Sequence, residues 1–162
     1  MNEAVVAIGW PQSVEAAYRA DGDRLWRALL AYAGDPDIAS ESVAEAYAQA
    51  LRRGPAVRDP AAWTWRSAFR IAAGALKDRR AAGVSWDASA DVSHLDRHAD
   101  PDLLHALQQL PDAQRAAVIL FYYADLPVRD IAARLGSNSL AIRANLSRGR
   151  RRLRVLLGDD DG

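Results

Sequence analysis

Residues 127–154 read PVRDIAARLGSNSLAIRANLSRGRRRLR, and this stretch decides the fold. Pro127 suits a helix start, because its ring fixes φ and it has no amide proton to leave unbonded. Val128, Ile131, Ala132 and Leu135 then fall at i, i+3, i+4 and i+7, which is one face of a short helix. Gly136 supplies the stop. A longer helix is predicted from about residue 138 to residue 157, with Ile142, Leu146, Gly149, Leu153 and Leu156 facing a core. Ser139, Arg143, Ser147, Arg150 and Arg154 lie on another side. Two helices joined by a glycine turn, the second with a basic face, make a helix-turn-helix.

The charge pattern of the second helix points to DNA. Arg143, Arg148, Arg150, Arg151, Arg152 and Arg154 follow one another with no acid among them. A merely solvated helix interleaves glutamates at i+4, and this one does not. Arg143, in the early turns, is placed to reach base edges, with Ser139, Leu140, Ala144 and Asn145 as further candidates for specificity. The later arginines, Arg148, Arg150, Arg151 and Arg152, are better placed for phosphates, and Ser147 is a further DNA-binding candidate.

Working upstream, Asp100-Pro101 and Leu110-Pro111 each open a helix, with Leu103, Leu104 and Leu107 apolar on the first and Ala113, Ala117, Leu120 and Phe121 on the second. Residues 81–100 lose periodicity and collect Gly83, serines and aspartates, the composition of a flexible acidic linker. Before it, Asp59-Pro60 opens a helix carrying Trp65, Phe69, Ala72 and Leu76. Pro36 reads as a breaker, after which Asp37 caps a helix with the stripe Ile38, Val43, Ala46, Tyr47, Ala50 and Leu51. Further back, Leu25, Trp26, Leu29, Leu30 and Ala33 recur at helical spacing up to Gly34, and Asp21-Gly22-Asp23 reads as an interruption of the preceding turn or two. No strand alternation occurs. The expectation is an all-α protein of two small helical domains, residues 1–80 and 101–162, joined by the linker 81–100.

Composition narrows the function. The 162 residues carry 21 basic and 21 acidic side chains, and acids crowd the stretch from Asp87 to Asp102 and close the chain at Asp159, Asp160 and Asp161. No apolar run approaches the ~20 residues of a membrane span, and no secretion signal is present, which predicts a cytoplasmic protein without membrane contact. With no cysteine, thiolate metal sites and cysteine nucleophiles are excluded. His94 and His98 have the i, i+4 spacing of a metal pair, but they sit in the linker with no third ligand. Neither a glycine-rich phosphate loop nor a nucleophile elbow is found, so no enzyme, metal or cofactor is expected.

Leu110-Pro111, Gln114-Arg115, Tyr122-Tyr123, Asp125-Leu126, Ile131-Ala132, Leu135-Gly136, Leu146-Ser147-Arg148 and Arg152-Leu153 together resemble the fourth region of extracytoplasmic-function sigma factors, of the sigma-70 family. Gly34-Asp35, Val43, Glu45, Arg70-Ile71-Ala72 and Asp78-Arg79-Arg80 are similar to the second region of the same family. The resemblance implies core RNA polymerase and promoter DNA as partners, with an anti-sigma protein as a further one. It assigns the minus-35 element to the fourth region, and polymerase binding and the minus-10 element to the second. Glu41, Val43, Glu45 and Tyr47 then mark the polymerase surface. Arg58, Trp63, Arg66, Arg70, Lys77, Arg79 and Arg80 mark the DNA face of the second region, where Trp63 is a candidate to stack on a base and Trp65 a candidate for the core. Ala44 stands where that family usually has glutamine, Ala73-Gly74 where it has Arg-Asn, and Leu140-Ala141 where Gly-Thr is common. A sigma-like regulator that opens no promoter, and a conventional helix-turn-helix repressor, are the competing readings of the same residues.

Overall fold

The structure, a computed structural model, describes residues 9–83 and 100–158, so most of the expected linker, with His94 and His98, lies outside the described residues. The described residues form seven α-helices and one 3₁₀ turn, and they contain no strand. These are α1 (Trp10–Ala33), α2 (Pro36–Arg53), a 3₁₀ turn at Gly54–Ala56, α3 (Pro60–Ala81), α4 (Pro101–Gln108), α5 (Asp112–Tyr122), α6 (Val128–Leu135) and α7 (Ser139–Leu156).

Short polar side chains set the starts of α2, α3, α4 and α7. Asp35 accepts from the amides of Asp37 and Ile38 at 2.7 and 3.2 Å, Asp59 from Ala62 at 3.1 Å, Asp100 from Asp102 at 2.9 Å and Asn138 from Ala141 at 2.9 Å. Each satisfies amides that have no partner within the first turn. The cap of α2 is therefore Asp35 and not Asp37. Pro36, expected as a breaker ahead of this helix, is instead its first residue, since a proline there forfeits no bond.

A second correction concerns α1, which runs unbroken through Asp21-Gly22-Asp23. A glycine in a helix costs only about 1 kcal/mol. Burial of Val14, Leu25, Ala28 and Leu29 along the same helix outweighs it. Two residues placed on apolar stripes, Leu51 and Leu103, are instead exposed at the rims of α2 and α4.

Helices α1, α2 and α3 pack on one another, and α5, α6 and α7 form the second group, with α4 laid between α1 and α7. Where α7 packs on α5 a side chain on Gly149 would bring its Cβ to 2.8 Å from Val118 Cγ2, so a larger residue there would force its neighbours to shift. The two groups also meet, α6 lying on α3 while α4 and α5 lie on α1, and the buried apolar residues form one continuous cluster across the junction.

The junction is polar as well as apolar. Arg134 of α6 donates to Asp21 of α1 at 3.1 Å, with side-chain exposures of 20% and 14%, and its guanidinium lies 4.8 Å from the ring centre of fully buried Trp65. Asp21 also accepts from the Trp65 indole N–H. Arg24 donates to the Ala124 carbonyl, Gln108 to that of Tyr32 at 2.9 Å and Arg66 to that of Ala133 at 3.3 Å. Arg115, with no exposed surface, ties the Gln108 and Leu110 carbonyls to Asp112 and stacks 4.5 Å over Tyr32. Burial raises the Tyr32 hydroxyl above its ordinary pKa, against the opposing pull of the Arg115 charge.

Candidate nucleic-acid interface

The helix-turn-helix is α6 and α7. Gly136, at φ 65°, ends α6 in the left-handed conformation that glycine adopts without strain. A Cβ there would also stand 3.2 Å from Arg66 Nε of α3. On α7, Ile142, Leu146 and Gly149 are buried as expected, while Leu153 and Leu156 are half-buried.

The opposite side of α7 carries the candidate interface. Leu140, at 77% exposure, stands at its outermost line, with Ala144 one turn on but half-buried; Ser139 and Asn145 are half-buried too. Arg143, Ser147, Arg148, Arg150, Arg151, Arg152 and Arg154 are exposed. Among the described residues no carboxylate pairs with any of these arginines, although ion pairs form elsewhere on the surface. Unpaired, exposed guanidinium groups in a row are what a polyanionic backbone requires.

Arg143, Ser147, Arg150 and Arg154 border a groove whose floor is Phe121, Val128 and Leu146. Arg143 thus leans toward the start of α6 and is not at the centre of the outward face. Arg150 lies 5.7 Å from the ring centre of Phe121 and 5.5 Å from that of Tyr122, and those rings meet edge to face at 4.9 Å. Tyr122 is 57% exposed.

The residues expected to handle DNA in the first group of helices are divided. Arg58, Trp63 and Arg66 line one shallow pocket beside the 3₁₀ turn, with Trp63 half-buried. Arg70 and Lys77 are exposed one and three turns further along α3. Trp65 belongs to the core. Arg66, Arg79 and Arg80 are engaged within the chain: Arg66 on α6, Arg79 with Asp35, and Arg80 with Asp112 at 3.5 Å. Burial raises the Asp35 carboxyl, but the Arg79 hydrogen bond and the amides of Ile38 and Asp37 outweigh it and hold the group below its ordinary range.

Of the residues expected to meet polymerase, Glu41 is exposed and Glu45 is half-buried. Glu45 accepts from Gln49 and from Arg52, both at 2.9 Å, and these bonds, the Gln49 amide first, keep its carboxyl below the ordinary value. Val43 and Tyr47 are corrected to core positions: they sit at 7% and 6% exposure among α1, α2 and α3, and support the surface from beneath. Their apolar helical spacing already placed them on the buried stripe. Sequence reasoning missed the partners of Asp21, Arg115 and Arg134, because nothing local in the chain shows which charge another helix will cover. His105, on α4, has no cluster of metal-ligating side chains around it, and none occurs among the described residues. Nor is any described helix long and apolar enough to cross a membrane.

Comparison with known proteins agrees with this geometry. Residues 101–153 match the family described as sigma-70, region 4. The RNA polymerase sigma factor SigV of Bacillus subtilis (strain 168) is 27% identical over 142 residues, covering 84% of this chain and 86% of that one. The ECF RNA polymerase sigma factor SigK of Mycolicibacterium vanbaalenii is 26% identical over 162 residues, covering 91% and 83%. In three dimensions the chain is similar to the sigma factor RpoE from Bartonella quintana, solved in complex with the anti-sigma factor NepR. The TM-score is 0.70 at 20% identity, over 90% of this chain and 97% of that one.

Proposed function

We infer that this chain, a member of the sigma-70 family of the extracytoplasmic-function type, directs RNA polymerase to specific promoters and initiates transcription there. The observation that carries the reading is the unpaired arginine face of α7, set on a helix-turn-helix within the segment that matches region 4. Bond making in the transcript belongs to the polymerase, and the chain supplies recognition alone.

Residues 101–162 act as the unit that holds the upstream element, and residues 1–80 as the unit that meets polymerase and the downstream element, joined through 81–100. Within the first unit the pocket of Arg58 and Trp63 is suited to an unstacked base, because an indole face and a guanidinium beside it replace the stacking that the base loses. Arg70 and Lys77 continue the positive path along α3. Glu41 and Glu45 present carboxylates for polymerase. An anti-sigma protein fits as the regulator, as the partner of the similar RpoE is one.

Run-off transcription with core polymerase on promoters selected from genomic DNA tests the reading. Starts at defined positions that depend on the chain are expected. A chain that binds such DNA while polymerase initiates nowhere in its presence would overturn it in favour of a regulator without promoter opening.

A further inference from the structure

Six arginines lie on or beside the open face of α7, and one of them is built differently from the rest. Among the described residues, Arg150 alone of the six has aromatic rings beside its guanidinium, Phe121 and Tyr122 of α5, with its guanidinium carbon at cation-π distance, within 6 Å, of both centroids. An arginine side chain free in solvent spreads over many rotamers, and a contact made with it must first freeze them. A guanidinium laid against a ring face is already oriented, while its N–H groups, which lie in its own plane, stay available at the edge.

The surroundings say what those edges meet. Arg143, Ser147 and Arg154 border the same groove as Arg150, with no described carboxylate paired to any of these three arginines. A cluster of cations without counter-charge selects an anion, and on a recognition helix the anion that recurs along the partner is the DNA phosphate. Tyr122 has no comparable structural duty. It is 57% exposed at the last turn of α5, whereas Phe121 beside it is half-buried and packs against the core.

We propose that Tyr122 and Phe121 are positioning residues for DNA binding, which act through Arg150 by holding its guanidinium ready for a backbone phosphate. The inference rests on the reading of α7 as the DNA-binding helix and adds to it a support on α5 that touches no DNA. Arg150 is thereby distinguished from Arg151 and Arg152, which reach phosphate as free side chains.

Because phosphate contact ignores sequence, the full chain can be tested on a duplex of arbitrary sequence, with affinity measured over a range of salt concentrations. Arg150→Gln should lower affinity and flatten the log-log salt slope by about 0.9. Tyr122→Leu should weaken binding about two- to five-fold, the scale of an exposed cation-π contact. It should do nothing further in the Arg150→Gln background. Tyr122→Phe, which keeps the ring and drops the hydroxyl, should bind as the parent does. The unfolding midpoint of each variant should match the parent, since all the changed side chains are exposed.

Equal losses from Tyr122→Leu in both backgrounds would overturn the proposal, because Tyr122 would then act by itself. A loss in Tyr122→Phe would overturn it too, by giving the role to the hydroxyl. If Arg150→Gln left both affinity and slope unchanged, the failure would be of the phosphate reading of Arg150, and the proposal would fall with it.

Discussion

Arginines do opposite work in two regions of this molecule, and the difference lies in their neighbours. Where α6 and α5 meet α3 and α1, Arg134 has Asp21 and the face of Trp65, Arg24 has the Ala124 carbonyl, and Arg115 has two carbonyls, Asp112 and Tyr32. On the outside of α7 the arginines have no acid at all among the described residues. A covered charge must be matched inside the protein, since water no longer matches it. An uncovered and unmatched row is free to be matched by a partner. Pairing therefore separates architecture from binding where sequence composition counts every arginine alike.

The sharpest way to break that contrast is to remove one charge from each region. Arg134→Leu leaves the Asp21 carboxylate largely covered, with only the Trp65 N–H as partner, and should cost roughly 2–3 kcal/mol, somewhat under the loss for a fully buried pair. Arg151→Leu should stay within about 0.5 kcal/mol of the parent. Urea unfolding of both variants checks the pair, and equal shifts would erase the distinction.

Within the open face, Arg143→Ala should narrow discrimination at one base pair of the upstream element by ~1–3 kcal/mol while the fold is kept. Affinities for a promoter and its single-base variants at one salt concentration provide the check. An unchanged ranking and spacing would move specificity to Ser139, Leu140, Ala144 or Asn145, of which Leu140 is the most exposed. Smaller again is the effect of Arg151→Ala or Arg152→Ala, each of which should weaken binding alike on all sequences and reduce the salt slope by about 0.9 for each phosphate that is no longer neutralised. Slopes equal to the parent's would remove the phosphate role.

The smallest effect belongs to the paired side. The Asp35 carboxyl is held below its ordinary range in the folded chain, so its contribution is complete above the unfolded value and fades as pH falls through the depressed folded value. Asp35→Asn should accordingly flatten the acid limb of stability at and below the ordinary carboxylate range and leave the neutral region nearly level in slope. Unfolding midpoints followed from neutral pH into that range measure it. An acid limb as steep as the parent's would assign the dependence to other carboxylates.

Local rules carried much of the fold. The order aspartate then proline opens α3 and α4 as expected, and Gly136 ends α6, because caps and left-handed turns are decided within a few residues; the same order at Asp35-Pro36 opens α2, against the expectation of a breaker at Pro36 and a cap at Asp37. The same rules failed at Asp21-Gly22-Asp23, where they see a breaker. Packing of α1 against α2, α3, α4 and α5 overrode them, and Asp21 proved to be an acceptor for Trp65 and Arg134. The candidate site was legible on α7, whose run of arginines without acids is visible in one dimension. It was less legible on α2 and α3: Val43 and Tyr47 point inward, and Arg79 and Arg80 are held by acids distant in sequence.

By itself, then, the sequence determined that this protein is helical, that it contains a helix-turn-helix, and that one helix presents uncompensated positive charge. Periodicity, caps and charge runs all act over a few residues, and each can be read without knowing what lies opposite. Tertiary structure alone decided which charges are already matched within the fold. Arg134 meets Asp21 across 113 positions and Arg66 meets Ala133 across 67, while Arg150 finds its two rings on another helix. The field around a side chain depends on every element folded against it, and chain order does not record that.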